Sequence, residues 1–383
     1  MKIIRHLRSE PLSILLLFIP LVILAEILHW GAIWVFLLSA VGIIPLARYI
    51  GSATEVLAAH SGPRIGGLLN ATLGNAAELI ITIFAIREGL LELVLASITG
   101  SILGNILLVL GMSMLLGGIR NGLQTFNRRH ASRNAILLLL SVIALLIPSL
   151  LSAYIGDQGD IKVEALSMGV AVVMIVLYLL SILFSFTSQR VTASPSRTSD
   201  STKEKAPGFE KPTGGSAAEY TAVAHETHPN WSIRTALIVL AIATAGVAYL
   251  SESLVSSVGP VVVGLGVSEF FLGIILIPLI GNVAEHLVAV KVAIQNQMDL
   301  SVEIALASSL QIALFVAPVL VFISFIMGNP MQLIFNEFEL LALIGGVVIA
   351  VFVSEDGESN WFEGAELLAI YLILVLAFFL LPA

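Results

Sequence analysis

The chain has 383 residues, of which 58% are hydrophobic and 11% charged, and its formal net charge is −8. Soluble domains carry roughly 45–50% apolar and about 25% charged residues, so this composition excludes a water-soluble fold and indicates a protein that crosses a membrane several times. The acidic balance argues against nucleic acid as a partner and leaves membrane lipids as the expected surroundings. Cysteine is absent, which excludes disulfides, thiolate metal sites and a cysteine nucleophile.

The first apolar run, residues 12–29, follows a short basic segment. Its basic residues are Lys2, Arg5 and Arg8. A signal peptide has a shorter apolar core and a small-x-small cleavage site, and neither is found here. Glu26 and Trp30 are typical of the interfacial end of a retained helix. We therefore predict a leading transmembrane helix within residues 1–30.

Apolar runs of about 20 residues, the length that crosses a bilayer, recur along the whole chain. They predict spans at 12–29, 31–60, 64–87, 89–118, 131–153, 163–187, 232–257, 261–297, 300–327, 335–354 and 361–381. The prediction is an all-α polytopic membrane protein of about 11 transmembrane helices. Several runs exceed one straight crossing, which indicates tilted or broken helices.

One long hydrophilic stretch, residues 188–231, separates the sixth and seventh spans. It is rich in Ser, Thr, Pro and Gly with charges of both signs, which predicts a disordered linker. Its H-x-x-H pair, His225 and His228, is expected to be solvated rather than metal-bound. Basic residues of the N-terminus, this stretch and the loop after the fourth span fall on one side. The positive-inside rule then places the N-terminus and linker in the cytoplasm and the C-terminus opposite.

Two hexapeptides resemble each other across the linker. G-N-A-A-E-L at residues 74–79 matches G-N-V-A-E-H at residues 281–286, an offset of 207. The same offset aligns Ser101 with Ser308 in the following span. Shared spacing to a second residue makes a chance match improbable, so we predict an internal repeat.

The repeat divides the chain into a first five-helix repeat, residues 31–187, and a second, residues 232–383. Because five spans is an odd number, the second copy must enter the membrane from the opposite face. Inverted repeats of this kind are a hallmark of secondary transporters, whose substrate site lies near the midplane where the repeats meet.

Glu78 and Glu285 lie inside the two matched apolar runs. An ionised carboxylate at bilayer depth costs several kcal/mol, so such residues face a protein interior and usually mark an ion pathway. A glutamate that only ties helices together is the alternative, and the repetition of the pair disfavours it. Asn75 and Asn282 lie one helical turn earlier on the same face.

Oxygen-bearing side chains near this pair suit a hard cation such as Ca²⁺, which prefers carboxylate and carbonyl oxygens. The predicted cation- and proton-binding residues are Glu78, Glu285, Asn75, Asn282, His286, Ser101, Ser308, Gln311 and Asn105, with Glu78 and Glu285 as the metal ligands. Gly74 and Gly281 are expected to open their helices and expose carbonyl groups. The small and polar neighbours also suit close helix packing. No thiolate or histidine cluster favours zinc or copper.

Protons and Ca²⁺ would compete for the same carboxylates, because burial favours the protonated form and a bound divalent cation the ionised form. His286 adds a side chain that titrates near neutral pH, although it would equally suit helix packing. Glu55 and Glu252 form a second matched pair. They are candidates for entrance or proton sites, or for simple interfacial residues.

With G-N-A-A-E-L and G-N-V-A-E-H, the chain resembles the cation/proton exchanger (CAX) family of the Ca²⁺/cation antiporter superfamily. The resemblance extends over almost the whole chain. It implies Ca²⁺/H⁺ exchange by alternating access, with Glu78 and Glu285 as shared cation and proton sites and no cofactor besides the transported ions. The acidic stretch that family members carry between their halves is replaced here by a linker of mixed charge.

Three alternatives are left open. A Na⁺-coupled or Mn²⁺-selective exchanger would use the same site, and paired glutamates also suit a cation channel. An enzyme ranks last, because the sequence contains neither H-E-x-x-H nor G-x-S-x-G. The oligomeric state, a homo-oligomer included, is not determined by the sequence.

Overall fold

The computed structural model describes residues 11–156, 159–192 and 231–381. The basic residues of the N-terminus, both linker histidines and most of the predicted linker lie outside these ranges. At the linker's two ends, α-helix continues as far as Thr192 and resumes at Ile233. Helix therefore extends past the predicted start of the linker at residue 188.

Twelve helices can be numbered within the described ranges, six on each side of the linker. The first six are α1 (Phe18–Ile27, after a 3₁₀ turn at Pro11–Leu17), α2 (Ala32–Leu73), α3 (Ala76–Arg87), α4 (Leu91–Asn121), α5 (Arg128–Ile155) and α6 (Ile161–Thr192). The second six are α7 (Ile233–Ser256), α8 (Val258–Leu265), α9 (Glu269–Ile294), α10 (Met298–Ile326), α11 (Glu337–Val353) and α12 (Trp361–Phe379). The all-α prediction is confirmed, apart from two short strands, β1 (Gln124–Thr125) and β2 (Glu358–Ser359).

Polar N-caps define where several of these helices begin, because a side-chain oxygen satisfies a backbone N–H that has no partner in the first turn. The caps are Asn127 for α5, Ser232 for α7, Asn336 for α11 and Asn360 for α12. At α11 the cap is reciprocal: Asn336 accepts from the Glu339 N–H and Glu339 accepts from the Asn336 N–H at 2.8 Å.

Eight helices of the described residues are long and apolar enough to cross a membrane. They are the Ala32–Gly62 part of α2, with α4, α5, α6, α7, α9, α10 and α12. A polytopic membrane protein is confirmed, whereas the count of eleven spans is not. The predicted spans 12–29 and 335–354 correspond to the shorter helices α1 and α11.

The predicted span 64–87 is interrupted in the structure. α2 bends at Gly62, which has a φ of 77°, a conformation that glycine adopts without strain, and then continues to Leu73. The chain leaves helical geometry at Asn75, whose φ and ψ are −93° and 18°, and α3 starts at Ala76. The predicted span 261–297 is likewise divided, into α8 and α9. The first break lies at Asn75 and the second at Gly266, whose φ is 65°, and local hydropathy distinguishes neither residue from the rest of a span.

α4 lies at the centre of the bundle. In its most apolar stretch 89% of the residues are buried, against 17% in α12. Glycines allow α9 to pack closely on it: a Cβ on Gly273 would lie 2.8 Å from the carbonyl oxygen of Leu93. Small residues at such crossings are typical of membrane helices. α4 and α9 therefore provide a rigid support for the side chains between them.

Several contacts define the two ends of the bundle. At one end β1 pairs antiparallel with β2, and Gln124 Nε2 donates to the carbonyl of Ala293 at 2.9 Å, near the end of α9. The Asn127 N–H donates to Asp299, in the first turn of α10.

At the other end of the bundle Asn329, just after α10, donates to the carbonyl of Ile86 at 3.0 Å, shortly before the start of α4. α4 and α10 thus run in opposite directions.

Candidate functional site

Glu78 lies in the first turn of α3, directly after the break at Gly74–Asn75. Its side chain is buried, and its Oε1 accepts hydrogen bonds from Ser101 Oγ at 2.8 Å and from Asn282 Nδ2. Its Oε2 is buried without a hydrogen-bond partner. One carboxylate oxygen is therefore held by two donors and the other is available to a ligand.

Glu285 is the matching carboxylate, placed midway along α9 and partly buried. Ser308 Oγ on α10 donates to its Oε2 at 2.7 Å. Ser308 follows Glu285 by 23 residues, the same separation as between Glu78 and Ser101. Each half of the chain thus supplies one glutamate and one serine that donates to it.

The two halves contact each other at the glycines of the repeated motif. A Cβ on Gly281 would lie 2.6 Å from Cγ of Glu78, and a Cβ on Gly74 would lie 3.9 Å from Oε1 of Glu285. Gly281 therefore gives room to the glutamate of the other half, whereas at Gly74 Glu285 is at ordinary van der Waals distance and the Asn70 carbonyl oxygen is the close neighbour, 2.6 Å from the added Cβ. The two carboxyl groups lie near enough to repel each other when both are ionised. A cation or protons between them would relieve that repulsion.

The two motifs differ in backbone conformation at the asparagine rather than at the glycine, since Gly74 has helical φ and ψ of −57° and −43° and Asn75 has −93° and 18°. The helix is interrupted at Gly74–Asn75, whereas α9 is regular α-helix through Gly281. In α9 the irregular segment comes earlier, as a π-helical stretch at Leu272–Leu276. The expected opening at Gly281 is therefore not seen in this structure, where close approach of Glu78 accounts for that glycine instead.

The amide side chains surround the same region. Asn75 is 1% exposed, and its Nδ2 donates to Gln311 Oε1 at 2.8 Å, while its Oδ1 is buried without a partner. Asn282 Nδ2 contacts Ser101 Oγ at 3.2 Å as well as Glu78. Asn105, in the π-helical part of α4, is buried with an unpartnered Nδ2.

The remaining predicted residues lie around this centre or apart from it. His286 is partly buried, and its Nε2 is enclosed without a hydrogen-bond partner. Glu252 is exposed on α7, where its Oε1 lies 3.3 Å from Nη2 of Arg87. Glu55 is partly buried in α2. An entrance role for the Glu55 and Glu252 pair stays a prediction.

The ligand chemistry of the site is oxygen only. Among the residues that the structure describes, no group of three or more His, Asp or Glu side chains is placed to hold a metal ion. A cation here would bind two carboxylates and neutral oxygens from amides and hydroxyls, a set that Ca²⁺ accepts. The two negative charges of the glutamates balance one divalent cation. Because no further charged ligand is present among the described residues around them, the cation would be bound weakly enough to be released.

Within the described ranges, every hydrogen bond to the two carboxylates comes from the residues predicted from sequence. The donors are unequally arranged, which the sequence did not predict: two reach Glu78 and one reaches Glu285. The signal for it is present in the sequence, because position 104, which the offset of 207 matches to Gln311, is glycine.

The family of sodium/calcium exchanger proteins matches residues 31–187 and 235–380. The chain belongs to this family. The Ca²⁺/H⁺ antiporter ChaA of Bacillus subtilis (strain 168) is 43% identical over 364 residues, covering 95% of this chain and 97% of that protein. A Ca²⁺/H⁺ antiporter of Aphanothece halophytica is 45% identical over 369 residues, covering 96% of each.

The fold is similar to that of YfkE, which is described as a Ca²⁺/H⁺ antiporter. The structure of native YfkE is 40% identical, covers 97% of this chain and 100% of that one, and superposes with a TM-score of 0.79. The resemblance to cation/proton exchangers expected from the two hexapeptides is confirmed. The two family matches also flank the predicted linker.

Proposed function

We propose that this chain exchanges Ca²⁺ for H⁺ across a membrane by alternating access. The observation that carries the proposal is the pair of glutamates, Glu78 and Glu285, each with a serine donor from its own half. Two adjacent carboxylates are neutralised either by one Ca²⁺ or by two protons. The two cargoes therefore exclude each other. If the site held neither cation nor protons, the switch between the two access states would move two buried, ionised carboxylates, which costs several kcal/mol.

The repeat that this mechanism needs is also part of the proposal. α3 and α9 end at Arg87 and Ile294, and α4 and α10 begin at Leu91 and Met298, both pairs at the offset of 207. The opposite directions of α4 and α10 support an inverted relation between residues 31–187 and 232–383. In this proposal α1 is the leading helix within residues 1–30, and the positive-inside rule places the linker and N-terminus in the cytoplasm.

The described activity of the relatives supports Ca²⁺ and H⁺ as the transported pair, since the Bacillus and Aphanothece proteins are both described as Ca²⁺/H⁺ antiporters. A Na⁺-coupled or Mn²⁺-selective exchanger is the second candidate, because sodium/calcium exchangers belong to the same family. A Na⁺-coupled exchanger predicts uptake that depends on Na⁺ rather than on a pH gradient, and a Mn²⁺-selective one predicts faster uptake of Mn²⁺ than of Ca²⁺.

The test is Ca²⁺-dependent proton flux in proteoliposomes that contain the purified full chain. Glu78→Gln and Glu285→Gln should each abolish exchange while leaving the protein folded, because Gln keeps the volume and removes the titrating charge. Glu366→Gln, at an exposed position on α12, is the matched control and should exchange normally. Near-normal exchange by either site variant, or current without proton countertransport, would overturn the proposal.

A further inference from the structure

The two asparagines of the repeated motif make different contacts, although the offset of 207 relates them. Asn282 directs its amide nitrogen to Glu78 Oε1 and to Ser101 Oγ at 3.2 Å. By the same relation Asn75 would donate to Glu285, but it donates to Gln311 Oε1 at 2.8 Å. An amide nitrogen donates hydrogen bonds and cannot bind a cation, so the orientation of each amide decides what it can do.

The two halves differ at the matched position that supplies this acceptor. Gln311 is the last residue of the α-helical part of α10 before its π-helical segment, and its counterpart at the start of the π-helical segment of α4 is Gly104. Glycine offers no side-chain acceptor, so Asn282 has no equivalent of Gln311. In the first half the nearest amide side chain on α4 is that of Asn105, one residue after Gly104, and its Nδ2 has no hydrogen-bond partner. The anchor therefore exists in one half only.

Anchoring the nitrogen of Asn75 determines where its oxygen lies. With Nδ2 bound to Gln311, Oδ1 occupies the other branch of the amide, and this oxygen is buried without a hydrogen-bond partner. A buried polar atom of this kind ordinarily has one. Asn75 lies in the break between α2 and α3, three residues before Glu78, whose Oε2 is likewise buried and unpartnered. Carboxylate and amide oxygens are both ligands that Ca²⁺ prefers.

We propose that Gln311 is a positioning residue, which holds the amide of Asn75 so that its Oδ1 binds the transported cation. Asn282 has the opposite task, since its nitrogen holds Glu78 in place. The inference rests on the proposed function, because it assigns roles within the same cation site. It separates two residues that the sequence pattern treats as equivalent, one as a cation ligand and the other as a support for a ligand.

A double-mutant cycle in the full chain tests the link between Gln311 and Asn75. The variants are Gln311→Met, Asn75→Ala and the two combined, and the measurement is the Ca²⁺ dependence of proton flux in proteoliposomes. Gln311→Met should raise the KM for Ca²⁺ about tenfold, equivalent to about 1.4 kcal/mol, and leave the maximal rate within about twofold. If Gln311 acts through Asn75, the double variant should have the same KM for Ca²⁺ as Asn75→Ala alone. Independent effects that multiply would overturn the proposal, because Gln311 would then bind the cation itself.

A second pair of variants tests the two roles separately. Asn75→Asp keeps an oxygen at the ligand position, and a half-turn of the Gln311 amide lets its Nε2 donate to the other carboxylate oxygen in place of the present bond, so Ca²⁺ exchange should stay within about threefold of the original chain. Asn282→Asp removes the donor and sets a like charge against Glu78, so Ca²⁺ exchange should fall by more than about tenfold. Thermal melting in detergent identifies any variant that fails to fold. If Asn75→Ala fails to fold, the comparison of Asn75→Asp with Asn282→Asp tests the proposal instead. Equal losses in the two aspartate variants would overturn the inference, whereas an unmodified chain without exchange would instead overturn the proposed function.

Discussion

Gly281→Ala places a methyl group where the side chain of Glu78 now lies. The new Cβ would be 2.6 Å from Cγ of Glu78, whereas carbon atoms in contact are about 3.5–4.0 Å apart. Glu78 must therefore withdraw by about 1 Å. A shift of that size takes Ser101 Oγ, now 2.8 Å from Oε1, beyond hydrogen-bond distance and disturbs the bond from Asn282.

The expected cost falls on cation binding rather than on folding. A hydrogen bond to a charged group contributes about 1.5–3 kcal/mol, so apparent Ca²⁺ affinity should fall roughly ten- to hundredfold. The replacement of Gly by Ala inside a helix stabilises it by about 1 kcal/mol, which offsets much of the strain in the folded state. The melting temperature should therefore change little while transport at low Ca²⁺ is lost.

The assay is the Ca²⁺ concentration dependence of proton flux in proteoliposomes, with thermal melting in detergent measured in parallel. Gly169→Ala is the matched control: it lies within α6, where a Cβ would meet nothing within 4 Å, and its Ca²⁺ dependence should be unchanged. An unaltered Ca²⁺ dependence in Gly281→Ala would refute the reasoning, since it would mean that the position of Glu78 does not govern cation binding.

Three further predictions concern protons, histidine and the linker. Apparent Ca²⁺ affinity should weaken as pH falls, with a limiting slope of about two in log affinity against pH, because two protons leave for each ion bound; a flat affinity between about pH 5 and pH 8 would contradict proton antiport. His286→Ala should shift this pH dependence if His286 titrates during the cycle, and should leave it unchanged if His286 only packs between helices. His60→Ala, whose ring nitrogen lies 2.7 Å from the carbonyl of Val56, should leave it unchanged, and equal profiles for the two variants would argue against titration of His286. Shortening the linker within about 195–225 should preserve transport, because its composition offers no packed core; loss of flux in a variant that still inserts would show that it does more than connect.

Composition and spacing alone determined the class of the protein and the identity of its central residues. A chain with so few charges has to place its apolar surface in lipid, which made a polytopic helical protein the only solution. A carboxylate is rare inside an apolar run, so Glu78 and Glu285 were conspicuous. The shared offset to Ser101 and Ser308 then identified the residues that now donate to them.

Only the tertiary structure decided which atoms of the site contact one another and where the helices break. The same G-N-x-A-E pattern is interrupted at Gly74–Asn75 yet runs as continuous helix through Gly281, because helix continuity depends on packing against neighbours as well as on local sequence. Asn75 and Asn282 are identical residues at matched positions, and neither carries a local signal of its partner. Their partners lie on other helices, Gln311 for one and Glu78 for the other, and interhelical hydrogen bonds form only after the bundle fixes how those helices face each other.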